Sequence, residues 1–452
     1  MMLGGYLEKA LRVPTVVVDA LRVPTAAAYV LRAPTAAADA LHTVLSDAVG
    51  QTRAVWSGGD RLHVAVHGPA PDQLEAFAVD LTARVGAVPG VAWMGLDAGC
   101  GRFVVAGESP EALDEAAIVA AVEEAEATAG ADGPFTAAVA GHPTDRTAVA
   151  WYTVAAVADV AAVGVGAVSA LLRLPGRLTP IELAPFIAFV QNQERLRAPL
   201  ERRFGVTEVD LALGIAAATA GALERQLLSP VVDLVHRLLL LRQERSRAQT
   251  FAQVEPVLYT TAPPARPLPE RPAPRPIPLP PGPIEHYDEQ DLIATIAAAL
   301  TTIPLSHRTQ EAVDVLSAGV TKAARLGREA FAAGVTEYLG RCAVLVVRPE
   351  PLRILDHVDR LVIDVDLLGD TEPPKPVTGQ DIEIVRYEPK TEPEQGGGDL
   401  TDLVARLQRE GHVVAVVAGG EEAALAAADC GVAVAPHPEH PVPWHADLIA
   451  ID

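Results

Sequence analysis

The stretch VDRLVIDVDLLGD, residues 358–370, runs an apolar segment, Leu361–Ile363, straight into Asp364, with Asp366 two residues beyond. A strand that ends in Asp at its carboxyl edge presents a carboxylate where a substrate can reach it, and in several phosphoryl-transfer enzymes that group is the nucleophile. The same residues have a plainer reading, with Asp364 capping a strand edge and Asp366 solvated in a turn. Working outward, AVLVV (343–347) precedes the stretch, while LTDLVARLQREGHVVAVVAGG (400–420) and EEAALAAADCGVAVA (421–435) follow it. This alternation of apolar runs and amphipathic segments predicts a parallel α/β sheet. Asp429 and Cys430 fall where a strand packs into that sheet, Cys430 as a small buried apolar group.

Composition narrows the class. Half of the 452 residues are apolar, which suffices for several cores, and the formal net charge is -22. Such an acidic chain lacks the clustered Lys and Arg that neutralise phosphates, so nucleic acid is excluded as a partner. The three cysteines, Cys100, Cys342 and Cys430, form no C-x-x-C pair; neither a disulfide framework nor a local zinc site is expected.

The amino-terminal 48 residues carry a ten-residue repeat, LRVPTVVVDA, LRVPTAAAYV, LRAPTAAADA, and read as an arm of short Pro-started turns with no assigned function. Residues 50–135 read as a small α+β unit: strand RLHVAVHG, helix DQLEAFAVDLTARVGAVPGV, strand GRFVVAGE and helix EALDEAAIVAAVEEAEA. The next region, 146–255, is helical. Within it, residues 148–172 carry one charge, Asp159, and are followed by Arg173 and Arg177. Their length suits a membrane span, but their Ala-rich composition equally suits a buried helix, and Asp159 weighs against insertion. Membrane association is the favoured expectation, a cytoplasmic location the alternative. Residues 256–283 are a Pro-rich linker read as an extended spacer, residues 284–335 a helical pair, and residues 336–452 the α/β unit. His63, His67, His437, His440 and His445 are read as surface histidines.

Two runs carry a resemblance. VVAVVAGGEEAALAAADCGVAVA (413–435) resembles the hinge of P-type ATPases, V-A-M-V-G-D-G-x-N-D-A-P-A-L-A-x-A-D-V-G-V-A-M, and GRCAVLVVRPEPLRILDHVDRLVIDVD (340–366) resembles the family stretch leading into D-K-T-G-T. The chain looks like the degenerate amino-terminal half of the long bacterial cation-transporting P-type ATPases, in which an ATPase-like half precedes a complete one. The resemblance implies a fold of mixed α/β and α parts: a ferredoxin-like, metal-domain-like unit, a helical region with transmembrane or buried helices, and a truncated HAD-like parallel α/β phosphorylation domain. It also implies a membrane location and, as partner, a complete ATPase half or another chain.

Position by position, the resemblance predicts lost chemistry. Asp364 falls on the phosphorylated aspartate, but Val365, Asp366, Leu367 and Leu368 stand where the family has Lys, Thr, Gly and Thr. Glu421 and Glu422 are all that replaces the Mg²⁺-side carboxylates of the hinge. Mg²⁺ and ATP are therefore cofactors of the family and not expected here, and no metal ligands are assigned: the metal-domain loop is GPAPDQL and lacks the family's paired cysteines. GVTKAARLG (319–327) has no Pro to unwind a helix for a cation, and Lys322 and Arg325 would repel one. Arg325 and Arg328 are expected on the cytosolic side. The expected function is a non-catalytic scaffold or regulatory module. The alternatives are a part of an active cation-translocating ATPase, or a HAD-type phosphatase using Asp364 and Asp366 with Lys390, Glu421 and Glu422.

Overall fold

The computed structural model describes residues 53–131, 133, 135, 138–171, 209, 213, 228–263, 274–282, 322–368, 382–388, 400–435 and 442–451. The repeat-bearing arm, Arg173, Arg177, Lys390, His437, His440, most of 172–227 and all of 284–321 lie outside these residues, as do the side chains of Lys322 and Arg325.

The first unit is a four-stranded antiparallel sheet in the order β1-β2-β4-β3, built from β1 (Val55–Gly58), β2 (Arg61–Ala65), β3 (Val91–Asp97) and β4 (Arg102–Gly107). Helices α1 (Leu74–Gly86) and α2 (Glu115–Ala129) cover one face. Asp114 caps α2 by accepting the Ala117 N–H at 3.1 Å, and Gly130 ends it at φ 64°, a conformation that costs other residues a Cβ clash. The sequence reading lacks β1 and β3. The first is a four-residue strand folded back by the Gly59–Asp60 turn, with Gly59 at φ 59°; the second begins at Val91, where the expected helix ends, and runs through residues to which that reading assigns no element.

Strand alternation decides what each face carries. Leu62 and Val64 of β2, and Phe103 and Val105 of β4, point into the core beneath α1 and α2. Their neighbours His63 and Val104 point the other way. On an ordinary two-layer unit that face would meet water, yet here every residue of β4 is buried. The covering comes from the end of a long helix, α4 (Leu228–Leu258), and from the carboxyl-terminal unit.

Helix α3 (Arg146–Leu171) occupies the stretch expected to be helical and packs on α4, which packs in turn on α5 (Lys322–Arg341). Asp159 and Arg237 are both buried, on helices that face one another. Among the described residues no helix is long and apolar enough to cross a membrane; the side chains of residues 161–171 are not among them.

The second sheet has six strands in the order β5-β10-β9-β8-β6-β7: β5 (Val344–Val346), β6 (Arg360–Asp364), β7 (Glu383–Tyr387), β8 (Val414–Ala418), β9 (Cys430–Ala435) and β10 (Leu448–Ile451). All are parallel except β5, which runs against β10. Helix α7 (Leu400–Arg409) buries Leu400, Val404 and Leu407 on one face; Ala332 of α5 covers the other with Val346, Leu352 and Cys430. The four-residue α6 (Val365–Leu368) follows β6, and α8 (Glu422–Ala427) follows β8. The expected parallel sheet is present, so the chain is mixed α/β.

Part of the Pro-rich segment is docked on this sheet rather than free. Arg275, 16% exposed at its side chain, donates from Nε to Asp429 Oδ1 at 2.8 Å and from an Nη to the His412 carbonyl at 2.6 Å. Its other Nη holds the Ile277 and Pro278 carbonyls, which fixes the strap's own shape. Proline supplies no N–H for a ladder, and the Arg275 guanidinium fork helps fasten the segment instead. Arg275→Ala should therefore lower the unfolding free energy by about 1 to 3 kcal/mol, the range for losing charge-assisted bonds to a buried carboxylate. Urea denaturation checks this, and a change within 0.5 kcal/mol, the usual range of surface substitutions, would contradict the docking.

Candidate functional site

In an open parallel sheet, ligands bind beyond the carboxyl ends of the strands, where successive connections depart to opposite sides. That point lies between β6 and β8. From β6 the chain moves outward to β7, then returns across β6 to continue through β8, β9 and β10. Asp364 is the last residue of β6, and Gly419 and Gly420 follow β8. A Cβ placed on Gly419 would lie 3.6 Å from Leu367 Cδ2, so the two loops touch.

Asp364 is buried, and its Oδ1 accepts the Asp366 backbone N–H at 3.1 Å, which turns the chain into α6. Asp366 itself is exposed. Glu421 stands at the amino end of α8, and Glu422 in its first turn lies 3.4 Å from Nδ1 of His445. The structure thus joins Asp364 to Asp366, and Glu422 to His445. Among the described residues no group of three or more His, Cys, Asp or Glu side chains is placed to hold a metal ion, so the four carboxylates do not form one cluster. Among the described residues that follow these two strands, 364–368 and 419–423, there is no Lys or Arg.

His445 and His63 are both buried, against the expectation of surface histidines; His67 is half-exposed and binds Glu126 at 3.0 Å. The error at His63 arises because an imidazole between Leu62 and Val64 alternates like a solvent-facing residue, whereas that face is covered.

What covers it is a second polar set that sequence reasoning missed. Asp97, at the end of β3, receives three donors: Tyr259 O–H at 2.5 Å, Trp444 Nε1–H at 2.7 Å and the Gly99 N–H at 3.0 Å. These come from the segment after α4, from the loop before β10 and from the β3–β4 turn, so one carboxylate ties three parts of the chain together. Burial pushes its pKa above the ordinary carboxylate value, and burial beside Asp97 raises Tyr259 and Cys100 well above theirs. Nearby, His63 Nε2 lies 3.1 Å from Glu255 Oε1, while Arg61 donates to Glu255 Oε2 at 2.8 Å. Trp56, His142, Phe251 and Tyr259 pack around the His63 ring. The only sequence signal was polar residues at alternate positions of apolar strands.

No protein-family model matches the chain, and no solved structure does. It is 27% identical over 357 residues to "Probable cation-transporting ATPase I" of Mycobacterium tuberculosis (strain CDC 1551 / Oshkosh), covering 68% of this chain and 21% of that protein. The counterpart in strain ATCC 25618 / H37Rv gives the same values, and the protein of that name from Mycobacterium leprae (strain TN) is 25% identical over 359 residues, covering 68% and 22%. The chain spans about a fifth of the length of these curated relatives. Over two thirds of its length the chain is thus similar to cation-transporting ATPases, the family that the runs around Asp364 and Glu421 resemble.

Proposed function

We propose that this chain is a non-catalytic module derived from a cation-transporting P-type ATPase, acting as a scaffold or regulatory half beside a complete ATPase half at the cell membrane. The observation that carries the reading is the sheet's switch point. It has the strand-end aspartate of a phosphorylation domain, Asp364, without a Lys, Arg or Thr among residues 364–368 and 419–423 on either side of it. Phosphoryl transfer depends on cations that neutralise the developing charge and on groups that orient the phosphate. Four carboxylates do the reverse. Mg²⁺ and ATP do not fit this edge: Asp366 is exposed, Glu422 turns to His445, and the donors do not converge.

The strand order around β6, with an acidic strand end at the switch point, supports a HAD-like ancestry for the carboxyl-terminal unit. The first unit supports a ferredoxin-like ancestry, with β1 supplying an edge strand ahead of β2. Its β2–α1 loop contains no cysteine. The names of the relatives favour a second reading, in which the chain is a working part of an active cation pump. Titration calorimetry of the chain with Mg·ATP, paired with a phosphate-release assay, separates the two. The module reading expects no saturable binding at millimolar nucleotide and no release above buffer. Saturable binding with hydrolysis that is lost in Asp364→Asn would overturn it.

A further inference from the structure

The hydrogen-bond directions around His63 and His142 are fixed by their neighbours. Glu255 Oε1 lies 3.1 Å from His63 Nε2 and also faces Arg61, so it is a carboxylate acceptor and the imidazole carries its proton on Nε2. His63 Nδ1 is then a lone pair, and His142 Nε2, 3.4 Å away, points its N–H toward it. His142 Nδ1 is in turn the acceptor for Thr144, whose Oγ1 lies at 2.7 Å and whose backbone N–H donates at 3.3 Å. The chain of donors runs in one direction, Thr144 to His142 to His63 to Glu255, and works only when both rings are neutral.

A second proton on either ring must go to an Nδ1. On His63 it would set N–H against N–H at the His142 contact. On His142 it would set N–H against the Thr144 N–H. Both rings are buried among Trp56, Phe251 and each other, with centroids 5.3 Å apart, so two imidazolium charges would also repel at close range. The other charged groups facing the pair are Asp97 on β3, Arg102 on β4, and Arg247 and Glu255 on α4, besides Arg61 on β2. Only Glu255 and Asp97 favour a proton on His63; burial outweighs them, and the arginines oppose it.

We propose that the Thr144–His142–His63–Glu255 chain is an acid-sensitive latch that holds the α3–α4 helix pair against the four-stranded sheet and releases it as pH falls below the ordinary histidine range. It joins three elements: β2, the segment entering α3, and the last turn of α4. The proposal stands apart from the proposed function and does not depend on it. Because burial lowers both histidine pKa values below 6.5, the docked form binds protons less tightly than the open one. Docking is unaffected above pH 6.5 and weakens as pH drops toward the lowered values, by about tenfold per unit of lowering for each ring. Asp97 acts in the opposite sense, since burial raises its pKa and acid favours its docked, protonated form.

Hydrogen exchange on the full chain, corrected for the intrinsic pH dependence, tests this between pH 7.5 and 5. Exchange at residues 142–145 and 252–259 should rise at least about tenfold, with β8 unchanged as an internal reference. The rise should vanish in the double variant His63→Gln, His142→Gln, and steepen in Asp97→Asn. Should the double variant fail to fold, imidazole ¹⁵N shifts of the wild-type chain decide instead. Both rings should be neutral Nε2–H tautomers at pH 7.5 and gain a proton only in step with opening. The proposal is overturned by acid opening that persists in the folded double variant, by β8 opening equally, or by either ring protonating at or above pH 6.5.

Discussion

Asp97→Ala should cost roughly 2 to 6 kcal/mol of stability, because Tyr259 O–H and Trp444 Nε1–H would be left as buried donors without an acceptor, at about 1 to 3 kcal/mol each. The loss should appear in urea melts as a lower midpoint at nearly unchanged slope, since the exposed area on unfolding stays the same. Asp97→Asn keeps the size and one acceptor and should cost less. It also removes a pH dependence. With its pKa raised by burial, folded Asp97 binds its proton more tightly than the unfolded chain does. Its contribution is therefore largest below the ordinary value of 3.8 and declines as pH rises toward the raised one. The Asn variant should lack that decline. A loss below 1 kcal/mol in Asp97→Ala would mean the junction is not held by this carboxylate.

The second large effect is at Trp444, the bulkiest of the fully buried side chains. It lies against Gly99 so closely that a Cβ there would approach its Cδ1 to 2.5 Å, and it packs in one cluster with Val104, Phe251 and Val416. Trp444→Ala should cost about 3 to 5 kcal/mol, the range for emptying a buried aromatic site. Trp444→Phe keeps an aromatic ring but loses the N–H and part of the indole volume, for a smaller cost than Ala. The two residues share a hydrogen bond, so the losses in Asp97→Ala and Trp444→Phe should be less than additive in a double-mutant cycle. Additivity within 0.5 kcal/mol would contradict a shared network.

These residues also mark the limit of what could be read from the chain. The parallel sheet was legible because β6, β8 and β9 are apolar runs bounded by Gly, Asp and amphipathic helices, and local pattern determines them. Asp364 was legible as a strand end for the same reason. The partners of Glu422 were not, because His445 comes from a loop whose approach depends on β10 pairing with β9. β1 escaped notice because four residues offer too little periodicity, and the Gly58–Gly59 pair alone marks its turn. The junction was the least legible. His63, Asp97, Glu255 and Trp444 are separated by up to 347 positions at the Asp97–Trp444 contact, and no local pattern announces that a polar strand face will be covered. Arg275 escaped in a similar way: a Pro-rich segment reads as a spacer until an arginine within it finds a carboxylate.

On the proposed reading, Asp364 keeps the position of an acceptor aspartate without the surroundings that make it one. Incubating the full chain with γ-³²P-labelled ATP and Mg²⁺, quenching in acid and separating the protein on an acidic gel measures this directly. No label should be incorporated, with wild type and Asp364→Asn indistinguishable. An acid-stable, hydroxylamine-sensitive label present in the wild type and lost in Asp364→Asn would contradict it.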